Sequence, residues 1–298
     1  MEPRYPFVAV DASPDEVDDL SAALFDLGAM GVEERDDQTL VKGADPDRVT
    51  LVGSFEEREA ADLAIKELLS MSPSCAARLE EVVGDAWRDA WKEHFAPFLL
   101  TPRIRVVPPW AADAPIGKGE IRLELEPGRA FGTGLHATTG LVAELLDDRA
   151  QALAGEEVLD VGTGSGILAL AALLLGASRA TAIDTDEDVI EVVLENAERN
   201  ALSERLRAIA GGLERVERTF PWVLANIEAR VLRPLAQGLV RVMEPGGVLI
   251  LSGLLESEHD EMVQLYKKQG RRLAHIETRK RAGAGGEAWV ALVLADVT

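Results

Sequence analysis

The sequence predicts an α/β protein: a mostly parallel, doubly wound sheet over residues 126–298, preceded by a small ferredoxin-like α+β unit over 1–84. Three observations carry this. From about residue 126, apolar strand-like runs alternate with helical patterns, which implies parallel strands joined by crossover helices. An apolar strand there runs straight into a glycine-rich turn at Gly162-Thr163-Gly164-Ser165-Gly166. Before it, the order β-α-β-β-α-β is that of the ferredoxin-like arrangement.

In the first unit, Tyr5–Val10 reads as a strand. Ser13-Pro14-Asp15-Glu16 has the form of a helix start, with Ser13 as cap, Pro14 in the first turn and Glu16 closing a capping box. Val17, Leu20, Ala23, Leu24 and Leu27 follow at helical spacing, and Gly28 and Gly31 end that helix. Strands are expected at 31–34 and 39–41. Ser54-Phe55-Glu56-Glu57 starts a second helix with Ala61, Ile65, Leu68 and Leu69 on its apolar face, and Arg78–Val83 closes the unit as a strand. Residues 85–125 read as a connector, with Trp87 and Trp91 on one face of a short helix as a packing stripe.

In the second unit, strands are expected at 156–161, 180–184, 222–225 and 248–252, with helices at 167–175, 187–200, 228–242 and 257–269. Two last strands fall at about 272–278 and 288–295. Ligands of such sheets bind beyond the carboxyl ends of the strands, where the strand order reverses.

With 298 residues and 47% hydrophobic composition, the chain suits two domains with a sizeable core. No apolar run reaches the length of a membrane span, and the start of the sequence lacks the layout of a secretory signal. A lone Cys75 leaves no intramolecular disulfide and no cysteine cage, so a reducing cytoplasm is the expected home. A net charge of −21 disfavours duplex nucleic acid and suits a basic partner.

Glycines at 162–166 let the chain turn tightly and approach a ligand closely, and the helix after them offers free N–H groups. The spacing is G-x-G-x-G, and Ile167 stands where a dinucleotide fingerprint wants its third glycine. No phosphate loop of the G-x-x-x-x-G-K-[ST] kind occurs. Asp184 lies 22 residues after Gly162 at a strand end, where a carboxylate accepts hydrogen bonds from both ribose hydroxyls of a nucleoside. Asp186 competes for that role; the alternative, a cap on helix 187–200, suits Asp186 better than an acid at the very end of the strand. Asn226, after the 222–225 strand, can aim an amine through its carbonyl or cap helix 228–242. His136 has two readings, a general base or a hydrogen bond that orders its loop, and the second is preferred. His94, His259 and His275 have no metal-ligand partners at useful spacing, so no metal is expected.

The turn and the acid together resemble class I S-adenosylmethionine methyltransferases. The run Glu126-Pro127-Gly128-Arg129-Ala130-Phe131-Gly132-Thr133-Gly134-Leu135-His136-Ala137-Thr138-Thr139 resembles the signature of the PrmA family, which methylates protein L eleven of the large ribosomal subunit. Leu224-Ala225-Asn226-Ile227, the Leu27–Glu33 pattern and Trp91-Lys92 match that family too, so the resemblance covers nearly the whole chain. Glu126, Leu135 and Ala137 replace the family's usual aspartate, threonine and proline, and Thr163 its common cysteine.

The resemblance implies a Rossmann-like methyltransferase domain. It also implies S-adenosylmethionine held by Thr139, Gly162, Gly164, Asp184 and Asn226, with Asn226 also acting on the acceptor. It implies lysine side-chain and N-terminal α-amino groups of a basic ribosomal protein as acceptors, read by the N-terminal domain. The alternatives are another protein lysine on the same scaffold, a nucleic-acid amine, and a non-enzymatic nucleoside-binding module. Ile227-Glu228 after the asparagine and the acidic charge speak against the nucleic acid; the retained 126–139 run and Asn226 speak against the module.

Overall fold

The computed structural model describes residues 4–13, 16–29, 31–35, 49–55, 57–71, 75–83, 96–126, 134–282 and 288–297. The chain divides into two compact units, Met1–His94 and Phe95–Thr298. That division lies beyond the expected end at 84, and residues 95–125 belong with the second unit.

In the first unit, β1 (Arg4–Ala12), α1 (Val17–Asp26), β2 (Gly31–Arg35), β3 (Val49–Ser54), α2 (Arg58–Met71) and β4 (Ala76–Val83) follow one another. The sheet order is β2-β3-β1-β4 with every pairing antiparallel, which is the ferredoxin-like arrangement. Alternation puts Val8, Val10 and Ala12 of β1 on one face, where they bury with Leu51, Phe55, Leu24 and Leu68. The expected cap of α1 is half present: the Glu16 carboxylate accepts from the Ser13 amide at 3.3 Å and the Ser13 hydroxyl at 2.6 Å, but the helix starts only at Val17. The strand expected at 39–41 lies outside the described residues. Its place beside β1 is taken by β3, whose β-branched Val49, Thr50 and Val52 suit a pleated surface. The Trp87–Trp91 stripe also lies outside the described residues.

The second unit opens with a small sheet of β5 (Phe98–Leu99), β6 (Ile104–Val107) and β7 (Ile121–Glu124), in that order, where only a connector was expected. Then come α3 (Ala137–Asp148), α4 (Ala150–Leu153), β8 (Glu157–Val161), α5 (Ile167–Leu174), β9 (Arg179–Asp184), α6 (Glu187–Arg199) and β10 (Leu206–Ala210). After them lie β11 (Phe220–Asn226), α7 (Ala229–Arg241), β12 (Met243–Leu255), α8 (His259–Lys267), β13 (Leu273–Ala282) and β14 (Ala288–Asp296).

The large sheet has the order β10-β9-β8-β11-β12-β14-β13. Strands β8 to β12 pair in parallel, while β14 and β13 close the edge antiparallel. Edge strand β10 was not expected from the sequence; its short Leu-Arg-Ala-Ile-Ala run carries little β signal. Both faces of the sheet are buried, so its central strands are apolar throughout. Val158, Leu224 and Ile250 pack toward α3, α5 and α6, whereas Leu159, Val223 and Leu249 pack toward α7 and α8. The chain runs outward from β8 through β9 to β10, then crosses to β11 on the other side of β8. The strand order therefore reverses between β8 and β11, which end at Val161 and Asn226.

Candidate active site

A cavity of about 660 Å³ opens at that reversal. Gly162, Gly164, Asp184, Asn226, Ile227 and Trp289 are among the residues that line it. Its size is that of a site for a nucleoside-sized molecule.

The turn after β8 shows why glycines stand there. Gly162, Gly164 and Gly166 have φ of 67°, 53° and 82°, all left-handed. A Cβ on Gly162 would also come within 2.7 Å of the Ile227 side chain. The turn is laced to β9 through its backbone: the Gly162 and Thr163 amides donate to the Ile183 carbonyl at 2.9 and 3.1 Å. The Gly164 amide donates to Asp184 Oδ2 at 3.0 Å, and the Asp186 amide to Asp184 Oδ1 at 3.1 Å. Asp184 therefore fixes the turn, and each of its oxygens keeps a further lone pair for a ligand hydroxyl. Asp186 has the other role: it caps α6, accepting from the Asp188 amide at 3.0 Å.

Beneath the turn lies Asp160, a residue that motif reading passed over. Its carboxylate accepts from the Thr163 hydroxyl at 2.6 Å and the Ala169 amide at 3.2 Å. Burial raises its pKa to about 6; those two hydrogen bonds oppose the shift, and the nearby charge of Asp184 adds to it.

The opposite wall is made of side chains. Asn226 ends β11, and its Nδ2 donates to the Thr139 hydroxyl at 3.2 Å. Its Oδ1 is buried and has no partner among the described residues. The cap reading of Asn226 is corrected by the structure, because α7 starts three residues later, at Ala229, with Glu228 in the cap position. Thr139 is itself buried at 1% exposure and stands behind Asn226, outside the cavity lining.

His136 is the cap of α3: its Nδ1 accepts from the Thr138 amide at 3.4 Å and lies 2.8 Å from the Thr138 hydroxyl. Both contacts stay within the start of its own helix. The ring packs edge-to-face on Trp289, centroids 4.9 Å apart. No sequence motif pointed to Trp289, because β14 reaches the site only through the antiparallel edge of the sheet. Of the 126–139 run, residues 127–133 lie outside the described residues.

The walls suit S-adenosylmethionine. Bare backbone at the turn admits a close ligand, Val161, Ile183, Leu213 and Leu235 give apolar sides, and the unpartnered Asn226 carbonyl marks a place for a donor. Among the described residues, no group of three or more His, Cys, Asp or Glu side chains is set to hold a metal ion. His259 and His275, which their spacing kept apart, do meet: each ring has Nε2 2.7 Å from the Thr278 hydroxyl.

The model of the family described as ribosomal protein L11 methyltransferase (PrmA) matches residues 4–295. The chain belongs to that family. A ribosomal protein L11 methyltransferase of Sorangium cellulosum (strain So ce56) is 66% identical, over 98% of this chain and 96% of its own. One from Myxococcus xanthus (strain DK1622) is 34% identical, over 91% of this chain and 93% of its own. Among solved structures, a ribosomal protein L11 methylase of Lactobacillus delbrueckii subsp. bulgaricus aligns with a TM-score of 0.60 at 30% identity, covering 68% of this chain and 99% of that one. Membership in the PrmA family makes the chain an S-adenosylmethionine-dependent methyltransferase. No helix among its described residues is long and apolar enough to cross a membrane.

Proposed function

We propose that the chain methylates lysine side-chain and N-terminal α-amino groups of ribosomal protein L11, with its first unit reading that substrate. The names of its relatives support the target. One observation carries the choice of an amine: the Asn226 carbonyl is buried, unpartnered and in the wall of the cofactor cavity. A buried acceptor without a donor is costly, and an amine N–H is the donor that satisfies it.

S-adenosylmethionine, when bound, supplies a methyl group on a good leaving group. Gly162 and Gly164 keep the backbone clear for it, and Asp184 accepts from the ribose hydroxyls. Thr139 holds the Asn226 amide so that Oδ1, and not Nδ2, faces the acceptor. Asn226 then orients the amine by one N–H and aims its lone pair. Positioning of this kind supplies much of the rate of a displacement.

Only a neutral amine reacts. A lysine of pKa about 10.4 is neutral in roughly one molecule of a few thousand at pH 7, and an α-amino group of pKa about 7.8 far more often. Single-turnover kinetics on Asn226→Ala and Asn226→Asp tests the proposal. Both are expected to lower the methyl-transfer rate with little change in cofactor affinity. An unchanged rate in the alanine variant would remove Asn226 from the reaction.

A further inference from the structure

Among the described residues, four side chains that carry or can carry charge line the cavity: His136, Asp184, Glu228 and Arg230. Two are tied into the fold: Asp184 holds the glycine turn and His136 caps α3. Within the described residues, Glu228 and Arg230 pair only with each other. Glu228 precedes the first residue of α7, where a side chain commonly caps the helix, yet it makes no cap bond. Its carboxylate instead stands 65% exposed at the mouth of the cavity, two residues after Asn226. It accepts from Arg230 Nε at 2.5 Å, and Arg230 is 80% exposed.

An acceptor lysine arrives as an ammonium and reacts as an amine. A carboxylate favours the ammonium, so it assists arrival and opposes the loss of the proton. Those two effects belong in different places. At the exposed mouth a carboxylate concentrates cations without entering the reaction, while the uncharged carbonyl of Asn226 accepts an N–H from either form inside. An exposed ion pair such as Glu228–Arg230 is weak enough to be exchanged for a second cation.

Resting on the amine-orienting role of Asn226, we propose that Glu228 is a specificity-determining residue. It captures the protonated acceptor at the cavity mouth, and Arg230 is the counter-charge that the incoming ammonium displaces. Glu228 sets KM for the acceptor and leaves the transfer to an already neutral amine unchanged. Removing it lowers the pH at which the bound acceptor loses its proton. Arg230 acts in the opposite sense, by competing with the acceptor for the carboxylate.

Steady-state kinetics of the full chain with purified ribosomal protein L11 tests this. Glu228→Gln is expected to raise KM for the acceptor roughly three- to tenfold at low salt, and Glu228→Lys more. The difference from wild type should close at roughly 1 M salt, where exposed charges are screened. Arg230→Ala is expected to lower KM. In Glu228→Gln, kcat should hold or rise, and the acid limb of the kcat–pH profile should move to lower pH. Glu217→Gln, an equal charge change at an exposed residue outside the cavity lining, controls for net charge and should leave KM alone.

Calorimetric affinity for S-adenosylmethionine, unchanged in every variant, shows that the fold and cofactor wall are intact. An unchanged KM in Glu228→Gln and Glu228→Lys overturns the proposal, as does a KM that moves the same way in Glu228→Gln and Arg230→Ala. A failure of Asn226 is seen in the transfer rate and a failure of Glu228 in KM, so the two are told apart.

Discussion

Between Gly162 and Gly166 the cavity wall is backbone: left-handed glycines, amides bonded to the Ile183 carbonyl, and one carboxylate, Asp184, tying the bend to β9. Across the cavity the wall is side chain, drawn from segments far apart in sequence: His136 at the cap of α3, Asn226 at the end of β11 with Glu228 just after it, and Trp289 on β14. The first wall depends on dihedral angles that only glycine holds without strain, and it offers a ligand little but amides and one acid. It suits any molecule with a ribose and says nothing about what is methylated. The second wall depends on the identity of each side chain, and on the reading proposed above it is the one the acceptor meets. Cofactor choice and acceptor choice are thus physically separable, and each of the following changes should strike one and spare the other.

The largest expected effect comes from removing the first unit. Residues 95–298 form a compact unit that contains every described residue of the cavity lining, so they should keep cofactor binding by calorimetry. Methylation of intact ribosomal protein L11, followed by mass spectrometry, should be lost. Full-rate methylation by the shortened chain would show that recognition lies elsewhere.

Next is Asn226→Ala, expected to slow methyl transfer roughly a hundredfold, the usual cost of a misplaced reactant. Stopped single-turnover assays read it directly, and cofactor affinity should move far less. Asp184→Ala should do the reverse: affinity for S-adenosylmethionine falls by about 1.5–3 kcal/mol, the value of hydrogen bonds to a charged group. If calorimetry showed no loss, Asp184 would serve the turn alone.

The smallest effect sits at the base of the backbone wall. Asp160 has a pKa raised from 3.8 to about 6, chiefly by burial. Between those values the folded chain keeps a proton that the unfolded chain has released. Stability should therefore decline as pH climbs from about 4 to about 6. Denaturant titrations across that window should show the decline, and Asp160→Asn should flatten it. A slope that survives the substitution would trace to other groups.

The backbone wall is also the legible one. Val158–Gly166 announces strand, turn and helix in unbroken order, because each property lies in neighbouring residues, and Asp184 follows at the end of the next strand. The ferredoxin-like unit was legible through two helical periodicities, although β3 was missed where Ser54 was taken for a helix start. The small sheet of β5 to β7 was hidden by its shortness and by the prolines around it. On the side-chain wall, Asn226 stood out by its place after β11. Trp289 and Asp160 did not, since their importance rests on contacts across the sheet and within the turn. His136 was visible, but which nitrogen it commits became clear only with the Thr138 amide beside it.

The most direct measurement is the intact mass, followed by peptide mapping, of purified ribosomal protein L11 after incubation with the full chain and S-adenosylmethionine. The account predicts gains in whole methyl increments, placed on lysine or α-amino nitrogens, and lost with Asn226→Ala. A substrate that stays unmodified under conditions where the cofactor binds, or methyl groups found on oxygen or sulfur, would contradict it.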